Sequence, residues 1–163
     1  MTDLAIKLRK LYALYGTIFG SLQSLFLLLV RLYWGWQFWQ TGWGKLGRIP
    51  GVTEYFAGMG IPFPHANAVF VSWLEFVGGY LLFFGLASRL IALPLAIDMI
   101  VAYWYGDHAA LLQIHSNPGN FYAAAPYTFL FASLMILIFG PGRFSLDWLI
   151  GHLWPRDSQA RAH

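Results

Sequence analysis

Four long apolar segments dominate this sequence, and each contains at most one charged side chain. The segments cover residues 17–43, 67–87, 90–105 and 122–139. A helix that crosses a membrane needs about 20 consecutive apolar residues, because it rises about 1.5 Å per residue through about 30 Å of hydrocarbon. The sequence therefore predicts an all-α integral membrane protein, folded as a four-helix transmembrane bundle.

The composition agrees with a surface that faces lipid. Charged residues make up 10% of the chain, whereas a soluble domain carries about a quarter. Because so few charges cannot cover a water-soluble fold, the lipid bilayer is the predicted partner of much of the surface. The absence of cysteine excludes disulfides, thiolate metal sites and iron–sulfur clusters. No metal site is predicted, and no basic stripe with interleaved aromatics indicates nucleic-acid binding.

The two ends of the chain differ from its apolar centre. Residues 4–15 repeat apolar side chains at helical spacing beside three basic residues, which predicts an amphipathic helix on the membrane surface. A signal peptide is the alternative, but no small-residue cleavage site follows the apolar run. We therefore divide the chain into an amphipathic extension (1–21), a transmembrane domain (22–150) and a polar tail (151–163). A joint between the extension and the first span is predicted near Ser21–Ser24.

The basic residues predict the orientation of the bundle. Seven fall on one side of the four-span arrangement, namely Lys7, Arg9, Lys10, Arg89, Arg143, Arg156 and Arg161. Only Lys45 and Arg48 fall on the other side, and Arg31 lies inside a span. Because cytoplasmic loops are enriched in Lys and Arg, both termini are predicted to be cytoplasmic, in a multi-pass protein of a bacterial-type inner membrane.

Three charged residues lie inside the spans: Arg31, Glu75 and Asp98. Each costs about 2.5–3.5 kcal/mol at the centre of a membrane helix, so all three are predicted to face the bundle interior. Counting about 1.5 Å per residue from the cytoplasmic boundary places Arg31 about 13 Å, Asp98 about 12 Å and Glu75 about 21 Å deep. Arg31 is therefore predicted to pair with Asp98 in preference to Glu75, which leaves Glu75 as the less neutralised acid.

Two helix faces combine these charges with glycine. The face on the first span holds Arg31, Gly35, Phe38, Gly42 and Lys45, and the face on the second holds Glu75, Gly78, Leu82, Gly85 and Arg89. Since glycine allows close backbone approach between membrane helices, these two faces are predicted to meet. The buried charges then form either an ion network that fixes helix register or a site that handles protons and anchors a ligand.

Four segments, in order along the chain, carry a family resemblance. They are Arg31 to Gly35 with Phe38, Gly42 and Lys45; Phe56 with Gly60 to Pro62; Glu75 with Gly78, Gly79, Gly85 and Arg89; and Gly140 to Asp147. Over about residues 25–150 the chain resembles the DoxX family. The resemblance implies a four-helix membrane protein of the DoxX/DoxD group. Some relatives in that group are similar to the membrane subunit of thiosulfate:quinone oxidoreductase, and others are linked to membrane-associated oxidative-stress complexes.

The first functional hypothesis is a subunit of a quinone-linked membrane oxidoreductase or oxidative-stress redox complex, with quinone as the candidate cofactor. The candidate catalytic residues are Arg31, which would polarise a quinone oxygen, and Glu75 and Asp98, either of which would exchange its proton. The candidate cofactor-binding residues are Arg31, Trp34, Phe38 and Lys45. Candidate partners are soluble redox or stress proteins and a second copy of the chain. A non-catalytic scaffold for soluble partners and a carrier of small solutes or protons remain as alternatives.

Overall fold

A computed structural model describes the backbone of residues 3–153 and their side chains, except those of residues 3–6 and 17–18. All regular structure in this range is helical, as predicted. The helices are α1 (Asp3–Leu46), α2 (Ile49–Gly58), α3 (Pro64–Phe84), α4 (Ser88–Tyr105), α5 (His108–Leu112), α6 (Pro118–Ala123), α7 (Pro126–Phe139) and α8 (Leu146–Leu153). Most of the predicted polar tail, with Arg156 and Arg161, lies outside the described residues.

The first helix is longer than its predicted span. α1 runs for 44 residues without interruption, so the joint predicted near Ser21–Ser24 does not break the helix. The Ser24 hydroxyl donates to the carbonyl oxygen of Gly20 within the helix at 3.1 Å, and no proline interrupts the backbone there. At about 1.5 Å per residue, α1 is about 66 Å long, which exceeds the hydrocarbon thickness of a bilayer about twofold.

Three helices of the described chain are long and apolar enough to cross a membrane. They are the Lys7–Leu46 part of α1, Pro64–Phe84 and Ser88–Tyr105. The segment predicted as the fourth span forms the apolar helix Pro126–Phe139, which has 14 residues. It begins later than predicted because the chain is extended at Ala124 and proline occupies the first turn of the new helix. The count of four spans therefore stays a prediction.

Four helices pack in a closed ring, in which α1 contacts α3, α3 contacts α4, α4 contacts α7, and α7 contacts α1. The buried apolar side chains inside the ring are Phe38, Leu82, Ala92, Leu95, Met99 and Ile136. We call the end of the ring beside α2 the α2 end. The opposite end, where α3 turns into α4 and α8 begins, is the α8 end.

Glycines bring α1 and α3 into close contact, as the sequence predicts. A side-chain carbon at Gly35 would lie 2.7 Å from the backbone nitrogen of Phe83, and one at Gly79 would lie 2.6 Å from the carbonyl oxygen of Gly35. No side chain fits there, so the helix backbones touch. Gly78, assigned to the same face, instead lies against Leu95 of α4.

Candidate functional site

Arg31 is fully buried at the α8 end of the ring. Its guanidinium donates hydrogen bonds to the carbonyl oxygens of Phe144 and of Leu82, the latter at 3.5 Å. The same group packs against Gly85, where a side-chain carbon would lie 2.8 Å from the guanidinium carbon. Gly85 also has a positive φ of 71°, which glycine adopts without steric cost. Both the contact with Arg31 and the positive φ therefore require glycine at position 85.

The predicted ion pair between Arg31 and Asp98 is wrong. Side chains in a helix lean toward its N-terminus, and the N-terminal side of α1 is at the α8 end. The guanidinium therefore lies closer to that end than its Cα depth suggests. The carboxylate that acts on Arg31 electrostatically is that of Asp147, which lies in the first turn of α8.

The segment from Gly140 to Asp147 closes the α8 end. The Asp147 carboxylate accepts hydrogen bonds from the backbone nitrogens of Ala87 at 2.7 Å and Ser88 at 2.8 Å. Its own backbone nitrogen donates to the carbonyl oxygen of Gly85 at 2.9 Å. An acidic side chain on the free N–H groups of a helix start is a stabilising cap. Asp147 therefore holds the turn between α3 and α4 and starts α4.

A cavity of about 350 Å³ opens at the α2 end. Its polar side chains include Lys45 from α1, Glu75 from α3 and Asp98 from α4. Its walls are mainly apolar and come from α2, α3, α4 and α7, with Tyr55, Phe56, Met59, Val71, Met99 and Phe129 among them. The cavity gathers charge from three helices in an otherwise apolar part of the ring, which makes it the candidate site.

Lys45 and Glu75 form an ion pair inside this cavity. The Lys45 ammonium nitrogen lies 2.7 Å from Oε1 of Glu75, and the two side chains are 31% and 3% exposed. Lys45 leans toward the N-terminus of α1, which points into the ring, and Glu75 leans toward the N-terminus of α3, which points to the α2 end. The two side chains therefore meet although their residues lie at different levels. Glu75 is the neutralised acid, so the expectation that it is the less neutralised one is wrong.

Asp98 lies beside this ion pair. Its carboxyl is within hydrogen-bonding reach of the Glu75 carboxyl. Within residues 3–153, Oδ2 of Asp98 and Oε2 of Glu75 are both buried without a hydrogen-bond partner. Two acids and one cation therefore share the site. No group of three metal-ligating side chains occurs in the same part of the chain.

The aromatic residues predicted to contact a ligand ring lie outside the cavity. Trp34 and Phe38 pack edge-on against Phe129, with ring centroids 5.0 Å and 4.7 Å apart, and Phe38 is fully buried in the apolar core. The aromatic walls come instead from Phe129, Tyr105 and α2. The sequence predicts a loop over residues 44–66 with one short helix from Thr53 to Gly60, but no site residue in that helix. The α2 residues that face the cavity are Val52, Tyr55, Phe56 and Met59. Their spacing of three, four and seven is that of one helix face and could have revealed them.

Comparison with known proteins identifies the family. A model of the DoxX family matches residues 26–108, about half of the chain. This chain belongs to the DoxX family. The match includes Lys45, Glu75 and Asp98, so the whole charged cluster lies within the family domain.

Three curated relatives are similar to this DoxX-family chain, and one of them is named as a membrane protein. "Inner membrane protein YqjF" of Escherichia coli is 28% identical over 82% of this chain and 98% of its own length. An uncharacterised Haemophilus influenzae protein is 29% identical over 81% of this chain and 87% of its own. "Putative oxidoreductase CatD" of Bacillus subtilis is 33% identical over 46% of this chain and 54% of its own. No solved structure matches.

The segments that carry the DoxX resemblance now have distinct places in the structure. Arg31, Gly85 and the segment from Gly140 to Asp147 meet at the α8 end. Lys45, Phe56 and Glu75 meet at the α2 end. The first group forms backbone contacts that hold the ring together, whereas the second lines a cavity.

Proposed function

We propose that this DoxX-family protein is a membrane subunit of a quinone-linked oxidoreductase and that it binds the quinone in the cavity at the α2 end. The observation that carries the proposal is the cluster of Lys45, Glu75 and Asp98 in a mainly apolar cavity of about 350 Å³. Small-molecule sites commonly measure about 300–1,000 Å³ and combine apolar walls with a few polar groups. A quinone fits this chemistry, because its ring is apolar and its two oxygens accept hydrogen bonds.

Lys45 and Asp98 are the residues proposed to contact the quinone oxygens. An ammonium group has three donors, and Glu75 accepts one of them, so Lys45 keeps donors for a ligand oxygen. Asp98 would exchange a proton with that oxygen as a general acid or base. The bound quinone would supply the two-electron chemistry. Arg31 has no part in this site, since its guanidinium serves the α8 end.

The electrons would come from a partner redox protein or another bound cofactor, because a chain without cysteine has no thiol relay of its own. The Bacillus subtilis relative is named "Putative oxidoreductase CatD", which supports redox chemistry for the part of the chain that it matches. Soluble redox or stress proteins are therefore the partners that we propose. Their docking face would be the α2 end, where the cavity opens.

The orientation that we propose has four spans and both termini in the cytoplasm. Arg89 and Arg143 lie at the α8 end with the basic residues of the first ten positions, whereas Lys45 and Arg48 lie at the α2 end. The excess of basic residues assigns the α8 end to the cytoplasmic side. The cavity would then open toward the opposite side of the membrane.

The test is to measure quinone in the protein itself. The chain is purified in mild detergent, extracted with organic solvent, and its quinone is quantified by mass spectrometry per mole of protein. We expect about one quinone per chain in the wild type and a loss of at least tenfold in Lys45→Met. The reason is that this change removes the donor to the ligand oxygen while keeping an apolar side chain of similar length.

Arg48→Met is the matched control, because Arg48 is an exposed cation three residues away that does not line the cavity. It should retain the wild-type amount. Equal quinone in wild type and Lys45→Met would place the ligand elsewhere, and no quinone in the wild type would leave the scaffold and the carrier as the better functions.

A further inference from the structure

The charges in the cavity do not balance. Lys45 carries one positive charge, and ionised Glu75 and Asp98 would together carry two negative charges. Asp107, which is partly exposed, would add a third. No other Lys, Arg or His lines the cavity in the described part of the chain. A net charge buried among membrane helices is expensive and calls for a partner or a proton.

In the described part of the chain, each of the two acids has one buried carboxylate oxygen that lacks a hydrogen-bond donor. Glu75 uses Oε1 to accept a hydrogen bond from Lys45 at 2.7 Å. Oε2 of Glu75 and Oδ2 of Asp98 are buried and, in residues 3–153, have no donor, although the two carboxyls are within hydrogen-bonding reach of each other. Two ionised carboxylates only accept hydrogen bonds. One proton between the two carboxyls turns their repulsion into a hydrogen bond.

Within residues 3–153, no side chain of the surroundings donates a hydrogen bond to Oε2 of Glu75 or Oδ2 of Asp98. The Thr41 hydroxyl from α1 donates to the carbonyl oxygen of Phe38 at 2.9 Å. Phe129 and Pro126 of α7 contribute apolar wall. The remaining polar or titratable groups that line the cavity are Asn67 on α3, Tyr55 on α2, Tyr105 at the end of α4 and Asp107 beyond it.

We propose that Glu75 and Asp98 share a single proton, so that with Lys45 they form an electrically neutral triad, and that Asp98 offers this proton to a hydrogen-bond-accepting oxygen of the ligand. The triad itself stands on the geometry alone, whereas the last step rests on the proposed quinone function. Loss of the proton leaves a negative charge next to Lys45, and its return restores neutrality. The cluster is then a proton store coupled to the occupancy of the cavity.

Infrared spectroscopy of the purified full-length protein near neutral pH tests the shared proton. The readout is the carbonyl stretch of a protonated carboxyl group, identified by its shift in heavy water. We expect one such group in the wild type. Asp98→Asn and Glu75→Gln should each abolish it, because the remaining acid is then ionised and paired with Lys45. Lys45→Met keeps both acids without the cation, so the amplitude should rise toward twofold.

The matched control is Asp107→Asn, the same substitution at another acid of the cavity, which should leave the band unchanged. A wild type without the band, or a band that survives in Glu75→Gln at full amplitude, would overturn the shared proton, and so would an unchanged amplitude in Lys45→Met. Because this last variant retains both acids, it keeps the test decisive if a carboxyl substitution prevents folding.

Adding a ligand to the same experiment distinguishes the shared proton from the proposed quinone function. A short-chain ubiquinone analogue added to the wild type should shift the band, because the proton gains a new acceptor. If the band changes with the substitutions as expected but does not shift when the quinone analogue is added, the quinone function and the final step of the proposal are wrong. The shared proton would still stand.

Discussion

Arg31 illustrates how a single buried charge can serve the fold although it lies in the same span as a candidate site. Its guanidinium lies against Gly85 and donates to the carbonyl oxygens of Leu82 and Phe144. These are backbone acceptors from two other parts of the chain. The residue therefore fixes the end of α3 and the segment after α7 relative to α1.

Arg31→Met should destabilise the protein without emptying the cavity. Each hydrogen bond from a charged donor contributes about 1.5–3 kcal/mol, and methionine replaces none of them. We expect a clear fall in the melting temperature in mild detergent and an unchanged quinone content per folded protein. A variant that melts like the wild type but has lost its quinone would contradict the structural role.

The sequence places the three buried charges on inward faces but cannot tell which of them meet. Counting residues along helices gives the depth of each Cα, which puts Arg31 and Asp98 level with one another. The direction of each side chain then decides the contacts: Arg31 leans away from the α2 end, and Lys45 leans into the ring toward Glu75. A long basic side chain carries its charge to a different depth from that of its own Cα. Counting residues along the helix gives only the depth of the Cα.

At the scale of elements, α1 and α3 pack closely because glycines at their contact leave no side chain between the two backbones. Gly35 and Gly79 let the two backbones touch, and the alternation of glycine with charge was sufficient to predict this pair. The first residue of α7 is harder to predict, because residues 122–125 carry no charge and continue the apolar pattern. The extended backbone at Ala124 separates them from α7.

Gly79→Leu should lower the melting temperature more than Leu81→Ala does. Leucine at 79 must displace the backbone of α1, whereas Leu81 is only partly buried and its truncation costs a fraction of the about 2–5 kcal/mol of a core Leu→Ala change. Thermal unfolding of both variants in the same detergent measures the difference. Gly16→Ala is the control, because no described atom lies within 4 Å of that position, so helix propensity should make it neutral or stabilising. Equal melting of the first two variants would mean that α1 and α3 can separate without cost.

The whole molecule has two unlike ends. At the α8 end, the Arg31 side chain donates to a backbone carbonyl and the Asp147 carboxylate accepts from a backbone N–H, and these bonds tie together helices that are distant in sequence. At the α2 end, α2 has no buried residue and covers a cavity. A tied end and a more exposed end would suit the proposed ligand site, whose helices must stay in place while the ligand enters.

Reporter fusions test the orientation and the number of spans. Fusions after Gly51 and Gly119 should read as external, and fusions after Arg89 and at the C-terminus as cytoplasmic, because the basic residues favour that side. The C-terminal fusion decides whether α7 crosses, since its 14 residues reach only about 21 Å. An external C-terminus would reduce the bundle to three spans, and an external Arg89 would invert the orientation.

The contacts of Asp147 and Phe144 set an order of events during synthesis. Ala87 leaves the ribosome 60 residues before the carboxylate that caps it, and Arg31 leaves 113 residues before Phe144. At about 5–20 residues per second, those partners arrive about 3–12 s and about 6–23 s later. During that interval the nascent chain carries a guanidinium inside the membrane without its final acceptor. A chain that stops before Phe144 should remain in that state, which makes it a substrate for membrane proteases even though α1 to α7 have been made.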